Sequence, residues 1–175
     1  MPSKSPPPLS RRKTMLKVCK FGGSSLSDEE EFAKVKKIIE NDPTRRIVVV
    51  SALGKRNSSD NKITDLLYLT YQHLKYHVAW QDLFGEIKRR YLKIEKDLKI
   101  NANLEDEINV IEEKLSSNAI GEEELVSRGE YLSAKLVSAY LGYYFIDSAK
   151  LIHFDYDGKV NEKETISAIQ ETVAS

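Results

Sequence analysis

The stretch from Lys20 to Ser24, Lys-Phe-Gly-Gly-Ser, combines a cation, two glycines and a hydroxyl at the end of an apolar run. Glycines let backbone N–H groups approach phosphate oxygens closely, and a helix that begins soon afterwards adds positive potential. Lys20 could neutralise negative charge that moves between phosphate oxygens. These residues predict a phosphate site, although a Gly-Gly pair after a strand is also typical of a plain tight turn.

The later Gly54-Lys55 pair does not form a Walker-type phosphate loop. Val49 stands where the first glycine of that motif belongs, and Arg56 stands where the motif requires serine or threonine. Lys55 and Arg56 are therefore interpreted as solvated loop residues. A phosphate site would have to be built around the first strand.

The elements that would position Lys20 follow from hydrophobic spacing. Residues 16–21 predict a strand, and the β-branched run at 46–52 predicts a second strand buried on both faces. Between them, residues 28–41 have helical spacing, and Ser27 with Glu30 predicts a capping box. This order predicts a βαβ unit in a parallel sheet, whose ligands bind beyond the carboxyl ends of the strands.

The middle of the chain is predicted to be helical. A polar loop at residues 53–62 is followed by apolar side chains at helical spacing up to Leu115. Residues from about 73 to 120 are predicted to be a helical insert whose charges lie on a solvated face.

The last part of the chain is predicted to alternate between helix and strand. A helix from about residue 122 to 141 precedes strands at 143–147 and 150–154, and Asp157-Gly158 predicts a turn. Asn161 with Glu164 predicts the start of a last helix. The predicted fold class is α/β with three α/β/α layers and a mainly parallel sheet, incomplete on its C-terminal side.

Composition and charge exclude several classes of protein. A chain of 175 residues with 41% hydrophobic residues suits one core, and 27 basic residues balance 27 acidic ones. Balanced charge provides no basic field for nucleic acid or for a membrane surface. Because no apolar run approaches a membrane span and Cys19 is the single cysteine, we expect a cytoplasmic protein with no metal site of its own.

Residues 1–14 are predicted to be a disordered tail. They are rich in proline and basic residues and contain no acidic residue. The fold is therefore predicted to occupy residues 15–175. The tail composition also weakly resembles a transit peptide, and Met15 could equally be an internal start.

Four segments together resemble the aspartate kinases (aspartokinases) of the amino-acid kinase family. They are, in chain order, LKVCKFGGSSL, VVVSALGK, KITDLL and SRGEYLSA. The resemblance runs from about Leu16 to the C-terminus and implies the N-terminal part of an amino-acid kinase catalytic domain.

The resemblance implies transfer of the γ-phosphoryl group of ATP to the side-chain carboxylate of L-aspartate. The product would be 4-phospho-L-aspartate, the first intermediate toward lysine, threonine and methionine, and Mg²⁺ would be carried with the nucleotide. Lys20 would be catalytic. The residues that the family pattern places on ATP are Lys20, Gly22, Gly23, Ser24 and Ser51.

The same resemblance implies that Thr64 and Glu130 hold aspartate, with Glu130 on its α-ammonium. Each residue also has a structural explanation: Ser51 could satisfy a loop amide, Thr64 could cap the helix that follows, and Ser127 with Glu130 fits a capping box. Against the last explanation, the predicted helix begins near Glu122, which places Glu130 inside it.

The family pattern continues beyond Ser175 with a glycine-rich Ser-Asp segment and paired regulatory ACT domains. We therefore expect a homo-oligomer in the full-length protein and no activity from residues 1–175 alone. The alternative is a non-catalytic aspartate-binding or interaction module, or another member of the amino-acid kinase family.

Overall fold

The computed structural model describes residues 15–174, and the tail predicted for residues 1–14 lies outside them. Strands β1 (Lys17–Phe21) and β2 (Arg45–Val50) are parallel neighbours joined through helix α1 (Glu29–Glu40). In the register, Lys20 lies opposite Val49. The predicted βαβ unit and the α/β fold class with a parallel sheet are confirmed.

The start of α1 lies one residue later than predicted. Asp28 is the N-cap residue, and its Oδ1 accepts a hydrogen bond from the Glu31 backbone N–H at 3.0 Å. Ser27 has helical dihedral angles and donates its hydroxyl to Asp28 Oδ2 instead. Because an N-cap residue needs an extended backbone, the capping box predicted at Ser27 and Glu30 is wrong.

One face of the two-stranded sheet packs against the core. Alternate residues Cys19, Phe21, Val48 and Val50 lie on this face. On the opposite face, Val49 is 47% exposed. The prediction that β2 is buried on both faces is therefore wrong for residues 15–174, in which the helices cover one face of the sheet.

Four helices build most of the core. They are α2 (Ile63–Lys75), α3 (Gln81–Asp97), α4 (Leu104–Ser116) and α5 (Glu122–Leu141). The helical spacing predicted for this region is confirmed, since each helix buries one apolar stripe. Helix α5 contacts α2, α3, α4 and β2, so it holds the helical region against the sheet. The bounds of the insert at 73–120 stay a prediction.

The strands predicted at residues 143–147 and 150–154 do not form. Asp147 Oδ1 accepts a hydrogen bond from the Ala149 N–H at 3.0 Å, and a 3₁₀ helix (Ser148–Lys150) follows. This side-chain turn bends the chain where a strand would have to continue. Phe154 makes an isolated antiparallel bridge to Val160, which is not a strand.

The turn and the helix predicted after this segment are confirmed. Gly158 has a φ of +80°, and its N–H donates to the Asp155 carbonyl. Asn161 Oδ1 accepts from the Glu164 N–H at 3.0 Å, as predicted for the start of α6 (Glu162–Ala174). Among the described helices, none has both the length and the apolar character needed to cross a bilayer.

Candidate functional site

The candidate site lies where β1 and β2 end. The Ser51 N–H donates to the Phe21 carbonyl at 3.0 Å, and the Gly54 N–H donates to the Gly23 carbonyl at 2.9 Å. These two hydrogen bonds hold the loop after β1 against the loop after β2. The carboxyl ends of parallel strands are where α/β proteins bind their ligands.

Gly22 and Gly23 have different surroundings. A Cβ on Gly23 would lie 2.7 Å from the Ala52 carbonyl oxygen, and one on Gly54 would lie 2.5 Å from the Gly23 carbonyl carbon. A Cβ on Gly22 would have no heavy atom within 4 Å. Close packing of the two loops therefore explains why glycine is needed at positions 23 and 54. The same packing does not require glycine at position 22.

Several polar side chains at the site have no partner among residues 15–174. The ammonium group of Lys20, on the exposed side of β1, makes no ion pair or hydrogen bond there. Three hydroxyl groups of the loops and the helix start at this end of the sheet also have no hydrogen-bond partner among residues 15–174, those of Ser24, Ser51 and Thr64. The prediction that Ser51 satisfies a loop amide is therefore wrong for the described part of the chain.

Thr64 lies in the first turn of α2. This helix begins at Ile63 with Lys62 as its N-cap residue, so the alternative prediction that Thr64 caps the helix is wrong. The Ile63 N–H donates to the Leu53 carbonyl at 3.3 Å. That bond joins the start of α2 to the loop after β2, and it brings Thr64 to the same end of the sheet as Ser51.

Glu130 lies well inside α5, which begins at Glu122, so the alternative capping role with Ser127 is wrong. Its Oε1 accepts a hydrogen bond from the Ala52 backbone N–H at 3.3 Å. The half-buried carboxylate has no cationic partner among the described residues. The Glu130 carboxylate is thus bound to the residue that follows Ser51 in the chain, and it can accept hydrogen bonds from a cation.

A buried tyrosine supports α5 behind Glu130. The Tyr91 hydroxyl donates to the Gly129 carbonyl at 2.7 Å and lies 3.2 Å from the Ser133 hydroxyl. Burial raises the pKa of Tyr91 well above its ordinary value, so the hydroxyl stays protonated. A Cβ on Gly129 would lie 2.8 Å from Ala52 Cβ, which shows how closely α5 approaches the sheet end.

Sequence reasoning missed a charged cluster beneath the loop after β2. Arg56, interpreted as solvated, donates through Nε and Nη2 to the Asp60 carboxylate at 2.8 and 2.9 Å. Arg90 of α3 is buried against the same loop, although the charges of this region were predicted to be solvated. One signal was present in the sequence: Arg90 stands within the apolar stripe formed by Ile87, Tyr91 and Ile94.

The described residues do not assemble a metal cage. No group of three or more His, Cys, Asp or Glu side chains in residues 15–174 is placed to hold a metal ion. The arrangement offers instead backbone N–H groups, hydroxyls and one ammonium on one side, and a carboxylate on the other. Such a set can bind an anion next to a cation.

Comparison with known sequences identifies the family. The sequence model described as "Amino acid kinase family" matches residues 15–174. The chain belongs to the amino acid kinase family. This membership confirms the resemblance found in the sequence.

Among members of the amino acid kinase family, the chain is similar to aspartate kinases. It is 33% identical to aspartokinase 3 of Bacillus subtilis over 133 residues, which cover 73% of this chain and 29% of that protein. The structure of aspartate kinase from Clostridium acetobutylicum matches with a TM-score of 0.86 and 40% identity. That match covers 91% of this chain and 36% of the kinase.

A more distant structure shares the fold. Escherichia coli aspartokinase III in complex with aspartate and ADP matches with a TM-score of 0.72 and 20% identity, over 90% of this chain and 37% of that protein. In these three comparisons the chain spans only about a third of the relative's length.

Proposed function

We propose that this chain forms part of an aspartate kinase, which transfers the γ-phosphoryl group of ATP to the side-chain carboxylate of L-aspartate and gives 4-phospho-L-aspartate. The similarity to two aspartate kinases at 33% and 40% identity supports the substrate assignment. The E. coli enzyme, whose complex contains aspartate and ADP, is a further relative by fold.

The ATP phosphates are assigned to the ends of β1 and β2. The observation that carries the proposal is that Lys20, Ser24 and Ser51 have no partner among residues 15–174 and lie where the two strands end. Gly22 supports the assignment, because a Cβ placed on this residue would have no heavy atom within 4 Å. The space beside Gly22 is therefore open to a phosphate group. Phosphate oxygens would accept from Lys20, from the hydroxyls and from the backbone N–H groups of Gly22 and Gly23.

Aspartate is assigned to Glu130 and Thr64. The Glu130 carboxylate would pair with the α-ammonium of aspartate, since a half-buried carboxylate is more stable with a cation beside it. Its hydrogen bond from the Ala52 N–H fixes the carboxylate next to Ser51. The Thr64 hydroxyl would donate to a substrate carboxylate.

The chemistry requires alignment rather than a base. A side-chain carboxylate is ionised at neutral pH, so it can attack the γ-phosphorus directly. A bond forms between the carboxylate oxygen and phosphorus, and the bond from phosphorus to the β–γ bridging oxygen breaks, with ADP leaving. Lys20 would stabilise the charge that moves to the bridging oxygen, and the two loops would hold the anions in line.

Mg²⁺ is expected to arrive bound to the ATP phosphates, where it would neutralise charge. A metal ion carried by the nucleotide needs no cage of protein side chains, and residues 15–174 contain no group of three or more His, Cys, Asp or Glu placed to hold one. The hydroxyls of Ser24 and Ser51 would lie near the phosphates. A cytoplasmic location and a homo-oligomeric complete enzyme are further parts of the proposal. The unpaired Cys19 suits a reducing compartment.

The test is aspartyl hydroxamate formation by the full-length protein that contains this chain, with both ATP and aspartate required. Lys20→Ala should lower kcat by about 10²- to 10³-fold, because one charge that stabilises the transition state is removed. Lys37→Ala is the matched control, since Lys37 is also exposed and has no partner among residues 15–174. Unchanged kcat in Lys20→Ala would overturn the assignment.

A further inference from the structure

Arg90 is a buried cation in an apolar environment. Its side chain is 4% exposed, and it projects from the inner face of α3 between Ile87 and Ile94. Burying an unpaired guanidinium is costly, so such a residue needs several hydrogen bonds in fixed directions. The partners of Arg90 therefore show what it does in the fold.

Arg90 binds both ends of the loop that follows β2. Nη1 donates to the Asn61 carbonyl at 2.6 Å, and Nη2 donates to the Gly54 carbonyl. Nη2 also lies 3.4 Å from Asp60 Oδ2. A planar guanidinium is suited to this task, because its donors point in fixed directions and can join two carbonyl groups at once.

Asp60 closes the loop from the inside. Its carboxylate, 5% exposed, accepts from the Arg56 side chain and from the Arg56 backbone N–H at 3.0 Å. These hydrogen bonds hold the pKa of the Asp60 carboxyl well below its ordinary value. The negative charge of Asp60 thus stays in place beneath the loop and balances the charge of Arg90.

Gly54 transmits this restraint to the glycine pair. Its carbonyl accepts from Arg90, while its N–H donates to the Gly23 carbonyl at 2.9 Å. The two loops touch so closely here that a Cβ on Gly54 would lie 2.5 Å from the Gly23 carbonyl carbon. A shift of Gly54 would therefore force a shift of Gly23.

At the other end of the loop, the Asn61 carbonyl bound by Arg90 lies just before the start of α2. Thr64 stands in the first turn of that helix. The guanidinium thus contacts the chain next to the residues assigned to phosphate and next to a residue assigned to aspartate.

We propose that Arg90 is a positioning residue, which fixes the loop after β2 and, through Gly54, the backbone of Gly23. Its importance for phosphate binding rests on the proposed function, whereas its effect on the loop does not. Arg90 itself would touch neither substrate.

The experiment measures amide hydrogen exchange by NMR in the full-length protein without nucleotide. Arg90→Met keeps an unbranched apolar stem that can pack between Ile87 and Ile94 and removes the guanidinium donors. The Gly54 amide, which donates to Gly23, should therefore exchange about tenfold faster. The Val35 amide in the middle of α1 should keep its rate. Arg89→Met is the matched control, because Arg89 is exposed on the same helix.

Arg90→Lys should give an intermediate rate, since an ammonium on a shorter stem cannot hold both carbonyls. If Arg90→Met does not fold, the Arg90→Lys measurement decides. An unchanged Gly54 rate in the folded variant, or equal acceleration of Gly54 and Val35, would overturn the proposal.

Nucleotide provides a separate readout. In the full-length enzyme, Arg90→Lys should raise the KM for ATP about tenfold and by more than Arg89→Lys does. Suppose that Gly54 exchanges faster in the Arg90 variant but that the unsubstituted enzyme has no ATP-dependent activity. This result would contradict the proposed function and would still support the role of Arg90. Faster exchange with an unchanged KM would contradict the link between Arg90 and phosphate binding.

Discussion

Replacing each of the two adjacent glycines by alanine should separate a packing role from a binding role. The Cβ of Gly23→Ala would lie 2.7 Å from the Ala52 carbonyl oxygen and 3.1 Å from the Gly54 nitrogen. Both neighbours are backbone atoms of a packed loop and cannot rotate away. We therefore expect the free energy of unfolding to fall by about 1–3 kcal/mol, the usual cost of overpacking.

Gly22→Ala should behave in the opposite way. Gly22 has φ −78° and ψ 171°, angles that alanine adopts freely, and its Cβ would meet no heavy atom within 4 Å. Because alanine lowers the entropy of the unfolded chain, the free energy of unfolding should rise by about 0.4–1 kcal/mol. The added methyl group would nevertheless occupy the space assigned to a phosphate, so the KM for ATP should rise.

Urea unfolding followed by circular dichroism measures the free energy of unfolding for both variants. Hydroxamate kinetics of the full-length protein measures the KM for ATP. Equal stability of Gly23→Ala and the unsubstituted protein would refute the close packing of the two loops. A stable Gly22→Ala variant with an unchanged KM for ATP would refute the approach of phosphate to Gly22.

Two further substitutions test the carboxylates. Glu130→Gln keeps an oxygen that can accept from the Ala52 N–H, so the free energy of unfolding should change by less than about 0.5 kcal/mol, while loss of the charge should raise the KM for aspartate about tenfold or more. An unchanged KM would contradict the ammonium assignment. The second substitution concerns Asp60, whose pKa is lowered by hydrogen bonds from Arg56. The ionised Asp60 carboxylate therefore stabilises the folded protein fully above its unfolded-state pKa of about 3.9. This stabilisation is lost as the pH falls from there toward the folded-state pKa. Urea unfolding between about pH 6 and pH 3 should therefore show a smaller loss of stability in Asp60→Asn, and an identical pH profile would contradict the lowered pKa.

Local patterns predicted the βαβ unit that carries Lys20 and Ser51. The apolar runs around Lys20 and Val49 each match one strand. Because a helix connects them, the two strands run in parallel. The same reasoning failed at residues 143–147, because an apolar run forms a strand only where a neighbouring strand accepts its backbone hydrogen bonds. The Asp147 side chain turns the chain there instead.

Alternatives that depended on helix boundaries needed the structure. Thr64 and Glu130 both fitted capping patterns, and the actual starts of α2 and α5 exclude those roles. A capping pattern spans four residues and recurs by chance, whereas the start of a helix is also set by what the helix packs against.

The amino-acid sequence by itself determined the βαβ unit, the helical stripes and the family, because these depend on residue spacing and on motifs that lie close together in the chain. Only the tertiary structure decided that Gly54 presses on Gly23, that Glu130 meets the Ala52 N–H, and that Arg90 holds the loop from below. Each of these contacts joins residues at least 29 positions apart in the chain, the separation of Asn61 from Arg90. A buried charge or a close backbone approach is stable only when its partner is in place.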